Sequence, residues 1–496
     1  MKQLDASLAL KPSRPVRVVQ FGEGNFLRAF VDYMLDIANE QTGFNGGIVL
    51  VKPIQMGNLD EFRKQNCVYT VCLRGRVNGN EQVLTRQITS VNNAVDAYAQ
   101  YDEYAALAKL DTLRFVVSNT TEAGIVYDEN DRMALEPPAS FPGKLTKFLF
   151  ERAEHFHYAL DKGLVMLPVE LIDDNGKMLK KCVLRQCENW GLPEKFVDWV
   201  NNACVFASTL VDRIVTGYPR DEAERAKLFE TLGYEDHLLV TGEPFALWVI
   251  ESEKDISGEL PLKQCGLPVI FTDDQGPYKR RKVRILNGAH TSFVPAAFLM
   301  GCDTVLDAMN DKLVRAFMQG VIYNEVIPTL DLPKDELMSF SDAVIDRFSN
   351  PYIRHMLLSI TLNSVSKWRA RCMPSLLEYV KLTGRLPKRL AFSLAALMAF
   401  DRTDERRDDA LIGHRDGQEY RILDDKTVLD FFQAHAHDAP DDLTRAFLSA
   451  EAFWGRDLTS VPGLEELVAE DLKTILAAGV RAAMEACLHG GSEEKE

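Results

Sequence analysis

The chain opens on a short apolar run, VRVVQF (Val16–Phe21), which two glycines separate from an amphipathic stretch over residues 26–39 and a second apolar run, GIVLVKPI, at 47–54. Strand, tight turn, helix and strand in that order make a βαβ unit. Two further apolar runs at 113–118 and 164–169 read as strands, with helix-period stretches around 94–110 and 145–160 between them. Strands apolar on both faces and alternating with helices belong in a parallel sheet covered on each side. One interruption is VCLRGRVNGNEQVLTRQIT, where Asn78-Gly79 between alternating segments predicts a hairpin added to the edge of that sheet.

From about residue 287 onward the pattern changes. TSFVPAAFLMG, DKLVRAFMQGVIYNEVI, YIRHMLLSITLNSVSKW and LAFSLAALMAF follow the helical period, and continuous apolar strands nearly vanish. The turn-forming DDQGPY at 273–278 marks the change. The expectation is an α/β protein. It has an N-terminal Rossmann-like, doubly wound sheet domain over 1–277, a mostly α-helical C-terminal domain over 278–490, and a disordered tail at 491–496.

Composition narrows the function. The 496 residues carry 57 Lys and Arg against 73 Asp and Glu, a net charge of −16 without a long basic block, which disfavours a nucleic-acid partner. The opening MKQLDASLALKPSRP lacks the apolar core of a signal peptide, and no apolar run reaches the roughly 18 residues of a membrane span. A cytoplasmic protein with a small-molecule partner and no membrane contact is expected, as a monomer or small homo-oligomer. Nine scattered cysteines form no C-x-x-C pair and read as reduced thiols packed as small hydrophobes. Paired histidines at 155 and 157 and at 435 and 437 lack metal-ligand spacing, so no metal is expected.

Three places carry candidate chemistry. Gly22-Glu23-Gly24 follows the first strand and opens the first helix, where backbone N–H groups receive a pyrophosphate. Leu27 stands at the third glycine position, and a bland turn explains two glycines as well. The acidic residue expected after the second strand is replaced by Lys52, either a 2′-phosphate contact or a solvated charge, which leaves NAD and NADP both open. The loop 118–124, SNTTEAG, is a polar cluster at the carboxyl end of a parallel strand, equally readable as a ligand loop or a helix cap. In the basic segment 279–290, Asn287 and His290 lie three apart at a helix start, with Lys282 before them on an extended segment. Hydride transfer to a carbonyl needs a proton donor and an oxyanion partner, and a lysine near cations such as Arg281 and Arg284 supplies the first. A charged linker with a helix cap is the alternative.

These segments together, FGEGNFLRAF (21–30), SNTTEAGI (118–125), ELIDDNG (170–176), STLVDRIVTGYPRDE (208–222), RKVRILNGAHT (281–291) and RFSNPYIRH (347–355), resemble the long-chain mannitol dehydrogenase family of polyol and sugar-acid dehydrogenases, most closely its tagaturonate-reducing members. The resemblance implies NAD(H)-dependent interconversion of D-tagaturonate and D-altronate in hexuronate catabolism, with the hexuronate or aldonate bound between the two domains. Fructuronate, a neutral polyol, or an NAD-assisted epimerisation are the alternatives. It implies Lys282 as general acid/base, Asn287 as oxyanion donor and His290 as a substrate or lysine-orienting contact. Cofactor contacts are implied at Phe21, Gly22, Gly24, Asn25, Phe26, Ser118, Asn119 and Thr120, and substrate contacts at Asp212, Lys367 and Arg369. Arg371 and Arg354 are further cations nearby. The chain departs from the family at a second asparagine, whose counterpart is Leu171; Glu170 or a backbone N–H is the substitute, and Asn175 is not.

Overall fold

The computed structural model describes residues 1–5, 7–121 and 123–489. The tail expected at 491–496 and Glu122 of the SNTTEAG loop lie outside the described residues. The chain divides into two compact units, one of Met1–Arg74 and Glu81–Gln275, the other of Gly75–Asn80 and the chain from Gly276 onward.

The first unit is built on six parallel strands, β1 (Val16–Phe21), β2 (Gly47–Lys52), β5 (Val91–Asp96), β6 (Phe115–Ser118), β7 (Val165–Pro168) and β8 (Val205–Phe206), in the order β5-β2-β1-β6-β7-β8. The chain runs outward from β1 to β5 and then returns to lay β6 against the free side of β1, with Phe21 opposite Ser118. That reversal opens a crevice beyond the carboxyl ends of β1 and β6, the place where doubly wound Rossmann sheets bind ligands. Both sheet faces are apolar. Val18, Leu50 and Val117 face one core with Phe30 and Met34, whereas Val19, Phe21 and Val116 face the other with Tyr104 and Phe148.

The stretch at 94–110 is not one helix: its start completes β5, and the helix is confined to Tyr101–Leu107. Apolar positions alone do not separate a buried strand from a helix, and Val91 and Val95 are β-branched. The hairpin of β3 (Tyr69–Val77) and β4 (Asn80–Ile88) turns at Asn78-Gly79, both with positive φ, but it does not extend the parallel sheet. It joins β10 (Val215–Gly217) and β11 (Val240–Gly242) in a separate four-stranded sheet, while β9 (Ser208–Asp212), β12 (Leu247–Glu251) and β13 (Val269–Thr272) form a third. The hairpin pairs with β11, a strand too short to stand out in the sequence.

The second unit is mostly helical. Residues 288–298 are all buried, as expected of a helix apolar around its whole circumference, and the Gly288–Leu299 helix packs on Lys388–Asp401, which in turn packs on Leu464–Ala478. One small antiparallel sheet of β14 (Arg406–Arg407), β15 (Ala410–Arg415) and β16 (Gln418–Ile422) interrupts the helices. The segment YIRHMLLSITLNSVSKW is broken into Leu357–Ile360 and Ser364–Arg371, with Asn363 between them in the left-handed region. Among the described residues no helix is long and apolar enough to cross a membrane, and no three His, Cys, Asp or Glu side chains group as metal ligands. All nine cysteines are unpaired, seven of them buried.

Candidate active site

A cavity of about 880 Å³ opens at the crevice of the first unit, lined by Gly22, Gly24, Asn119, Thr120, Phe141 and Lys144 among others. Gly22 ends β1 at φ +121°, donates its N–H to Val51 O at 2.9 Å, and leaves room for Leu27 Cδ1 and Asn119 O, which a Cβ there would meet at 3.1 and 3.2 Å. Leu27 therefore fills the place of the third glycine. The helix it begins widens at once into a π turn, Arg28–Asp32. Gly24 differs: a Cβ there would meet nothing within 4 Å, so its bare backbone faces open space.

The other expected cofactor residues divide between lining and support. Phe21 is fully buried among Tyr104, Phe141 and Phe148, and contributes its carbonyl, which accepts from Asn119 N at 3.1 Å. Asn25 Oδ1 accepts from Arg28 Nη2 at 2.6 Å, and Phe26 stacks on Phe30 at 5.0 Å. The β6 loop is clamped by buried Glu170: Ser118 Oγ donates to one carboxylate oxygen at 3.1 Å, and Thr120 donates through N and Oγ1 to the other, both at 2.9 Å. Glu170 thus acts as an acceptor that shapes the loop, which is the reverse of an oxyanion donor. Leu171 is exposed, and buried Asn175 ties Pro168, Glu170 and Thr209 together through its amide.

Lys52 is neither solvated nor turned outward. Its ammonium is buried, donates to the carbonyls of Ile54, Gln55 and Met56 at 2.5, 3.2 and 3.3 Å, and pairs with Asp96 at 3.0 Å. Asp212 closes β9 in register with Leu247, beside buried Arg213, whose guanidinium holds the carbonyls of Ala29, Pro244 and Phe245.

In the second unit the basic segment is helical throughout. Gly276–Arg281 runs without a break into a π turn, Lys282–Asn287, and on into Gly288–Leu299, so Lys282 is not on an extended strand. The sequence disguised this because the cations look like a linker. Arg281 is in fact buried, paired with Glu336 at 2.5 Å and lying over the Phe340 ring at 4.3 Å, and Arg284 donates to Thr329 O at 3.2 Å. The widened turn matters for spacing. Five residues overshoot an α-helical turn of about 3.6, whereas a π turn bonds i to i+5 and brings positions 282 and 287 close to one line.

His290 lies one turn on, buried, stacked on Phe348 at 4.0 Å and edge-on to His355 at 5.4 Å. Burial first, then the charges of His355, Arg347 and Arg371, hold its pKa well below the usual histidine value, so the ring is neutral. Its Nε2 has no hydrogen-bond partner. Lys367 and Arg371 share a face of the Ser364–Arg371 helix: Lys367 Nζ donates to Ile360 O at 3.0 Å and Arg371 Nη1 to Thr291 Oγ1 at 3.3 Å. Arg369 points elsewhere, its Nη1 donating to Phe453 O at 3.4 Å. Arg354 is exposed.

Sequence reasoning passed over Lys144, whose buried ammonium donates to Tyr98 Oη at 3.0 Å and Ala139 O at 2.7 Å and which burial pushes down to about 8. A lysine in the first turn of a helix looks solvated in a sequence. The grouping of Arg347, Phe348 and His355 on His290 was equally hidden, although RFSNPYIRH had singled the residues out.

The model for the Mannitol dehydrogenase Rossmann domain matches residues 16–264, and that for the Mannitol dehydrogenase C-terminal domain matches 274–476. An altronate oxidoreductase of Enterobacter sp. (strain 638) is 50% identical over 477 residues, 95% of this chain and 96% of that protein. In fold, D-sorbitol dehydrogenase in substrate-free form is similar at a TM-score of 0.79 and 22% identity, covering 97% of this chain and 100% of the other. The Pseudomonas fluorescens mannitol 2-dehydrogenase, in ternary complex with NAD and D-mannitol, gives a TM-score of 0.66 at 23% identity, over 99% and 100%. With family models covering both units and half the residues shared with a full-length relative, the chain belongs to the mannitol dehydrogenase family.

Proposed function

We propose that this chain interconverts D-tagaturonate and D-altronate with NAD(H), in hexuronate catabolism in the cytoplasm, using Lys282 as general acid/base. The observation that carries the reading is the set Lys282, Asn287 and His290 on one helix whose π turn suits the five-residue spacing. It is supported by the 50% identity to a protein named altronate oxidoreductase. Gly22, Gly24, Asn119 and Thr120 would hold the dinucleotide, since the Gly22 turn needs a positive φ and Gly24 leaves its backbone bare. Asn25, Phe26, Phe21 and Ser118 support that turn and loop from behind.

When bound, NADH supplies a hydride to the keto carbon. Lys282, as the ammonium, gives its proton to the carbonyl oxygen, and the Asn287 amide donates a hydrogen bond to the same oxygen as negative charge develops. In the oxidative direction Lys282 as the amine takes the hydroxyl proton. Neutral His290 meets a substrate hydroxyl, and Asp212 and Lys367 complete the proposed substrate contacts, whereas Arg369, turned onto Phe453 O, is left out of them. Lys52 has its hydrogens committed to three carbonyls and Asp96, leaving none for a 2′-phosphate, so the reading is NAD rather than NADP.

Loss of reduced-nicotinamide absorbance with tagaturonate, fructuronate and fructose, each offered with NADH and NADPH, tests this. Tagaturonate with NADH should be fastest, and faster turnover of fructuronate or fructose would overturn the substrate. Lys282→Ala should lose about 1,000-fold in kcat with NADH affinity near wild type. Near-normal turnover would remove the lysine from the mechanism.

A further inference from the structure

We propose that Glu23 reads the adenosine ribose of the cofactor: its carboxylate accepts hydrogen bonds from the 2′- and 3′-hydroxyls of NAD(H) and repels the 2′-phosphate of NADP(H). The proposal rests on the NAD reading above and adds the residue that enforces it.

In Rossmann sheets that duty falls to an acid beyond the second strand, whereas β2 here ends on Lys52 and is followed by Pro53. The glycine turn brings a carboxylate to the same corner. Phe21 is in register with Val51, and Gly22 N donates to Val51 O at 2.9 Å, so the turn is stapled to the end of β2. One residue on, Glu23 lines the cavity of the first unit together with Pro53 and Ile54. The side chain is half-buried, yet its carboxylate makes no hydrogen bond or ion pair with any other described residue and meets only its own backbone N–H. Burial raises its pKa above the usual carboxylate value, a cost that hydroxyl donors from a ligand offset.

The neighbouring acids are engaged or turned to solvent. Asp96, at the end of β5, accepts from Tyr98 N and Ala99 N at 2.9 and 3.1 Å and pairs with Lys52. Asp128, in the loop beyond β6, accepts from Asn130 N at 2.9 Å, and Glu129 is exposed. Nor does this corner answer a phosphate. Lys52 is committed to three carbonyls and Asp96, and the cations lining the cavity, Lys144 and Arg185, belong to the helices Phe141–His155 and Asn175–Asn189. Lys144 donates to Tyr98 Oη and Ala139 O, and Arg185 lies over the Tyr127 ring at 4.0 Å. The two oxygens of one carboxylate match the two adjacent hydroxyls of a ribose, so a single side chain receives the diol and excludes a dianion in its place.

The test titrates NADH and NADPH, which differ only at the 2′ position, into wild type, Glu23→Gln and Glu23→Ser, following reduced-nicotinamide fluorescence. Wild type should favour NADH. Both variants should narrow that preference about 100-fold, binding NADH more weakly and NADPH more tightly. An unchanged preference, or equal weakening of both dinucleotides, would overturn the role of Glu23 and leave the NAD reading standing. A wild type that favours NADPH would overturn the NAD reading and the role of Glu23 with it.

Discussion

Gly22 and Gly24 sit two apart on one turn, yet the fold asks different things of them. At Gly22 the backbone lies at φ +121° with two neighbours near 3.1 and 3.2 Å of a would-be Cβ, so Gly22→Ala should cost about 1–3 kcal/mol of stability. Gly24 has an ordinary φ of −69° and open space. Gly24→Ala should therefore melt like wild type and bind NADH about tenfold more weakly, because the methyl occupies room left for the ligand. Thermal melts and NADH titration of the two variants separate these roles, and parallel losses in both would show that Gly24 is structural after all. Lys282, Asn287 and His290 were legible at this scale because their spacing is short. The partners of His290 were not, because Phe348, His355 and Arg371 reach it across 58 to 81 positions of chain, which no local pattern encodes.

At the scale of elements, two of the three π turns among the described residues fall where helices meet the candidate sites, at Arg28–Asp32 after the glycine turn and at Lys282–Asn287, and the third is Val321–Val326. The first places Asp32 in the apolar core, where burial raises its carboxyl to about 7 despite the hydrogen bond from Tyr69 Oη at 2.6 Å. The folded state therefore holds a proton that the unfolded chain releases near 3.8, so stability falls as pH rises between these values and the cost is fully present above 7. Measured by chemical denaturation, wild type should lose on the order of 2–4 kcal/mol relative to Asp32→Asn between about pH 4 and about pH 8. A gap that does not change with pH would mean that the carboxyl titrates normally. The β1–β2 unit and the Asn78-Gly79 turn were readable from alternation and turn chemistry. The placement of the hairpin was not, since it depends on pairing with the three-residue strand β11, and the helical course through residue 282 was masked by cations that find Glu336 and Phe340 only in the folded state.

For the whole molecule, the parallel sheet and the helical second half followed from the change of hydrophobic period near 276, because a period of two or of 3.6 is a property of long stretches and survives local errors. The proposed chemistry rests on an ammonium and an amide, with no place for a metal in any step. Incubation with EDTA followed by desalting should leave the turnover of tagaturonate unchanged, and loss restored by added zinc or magnesium would refute the lysine mechanism. The widened turn at Lys282–Asn287 carries a further consequence. Removing any one residue inside it would let the hydrogen-bond ladder close as a regular α-helix, a better helix by every local criterion. Lys282 and Asn287 would then stand four apart and still share a face, so what the extra residue changes is the widening of the backbone between them, not the side from which they project. On the proposed mechanism, a deletion inside this turn therefore probes the widening itself, since it leaves the two side chains on one face.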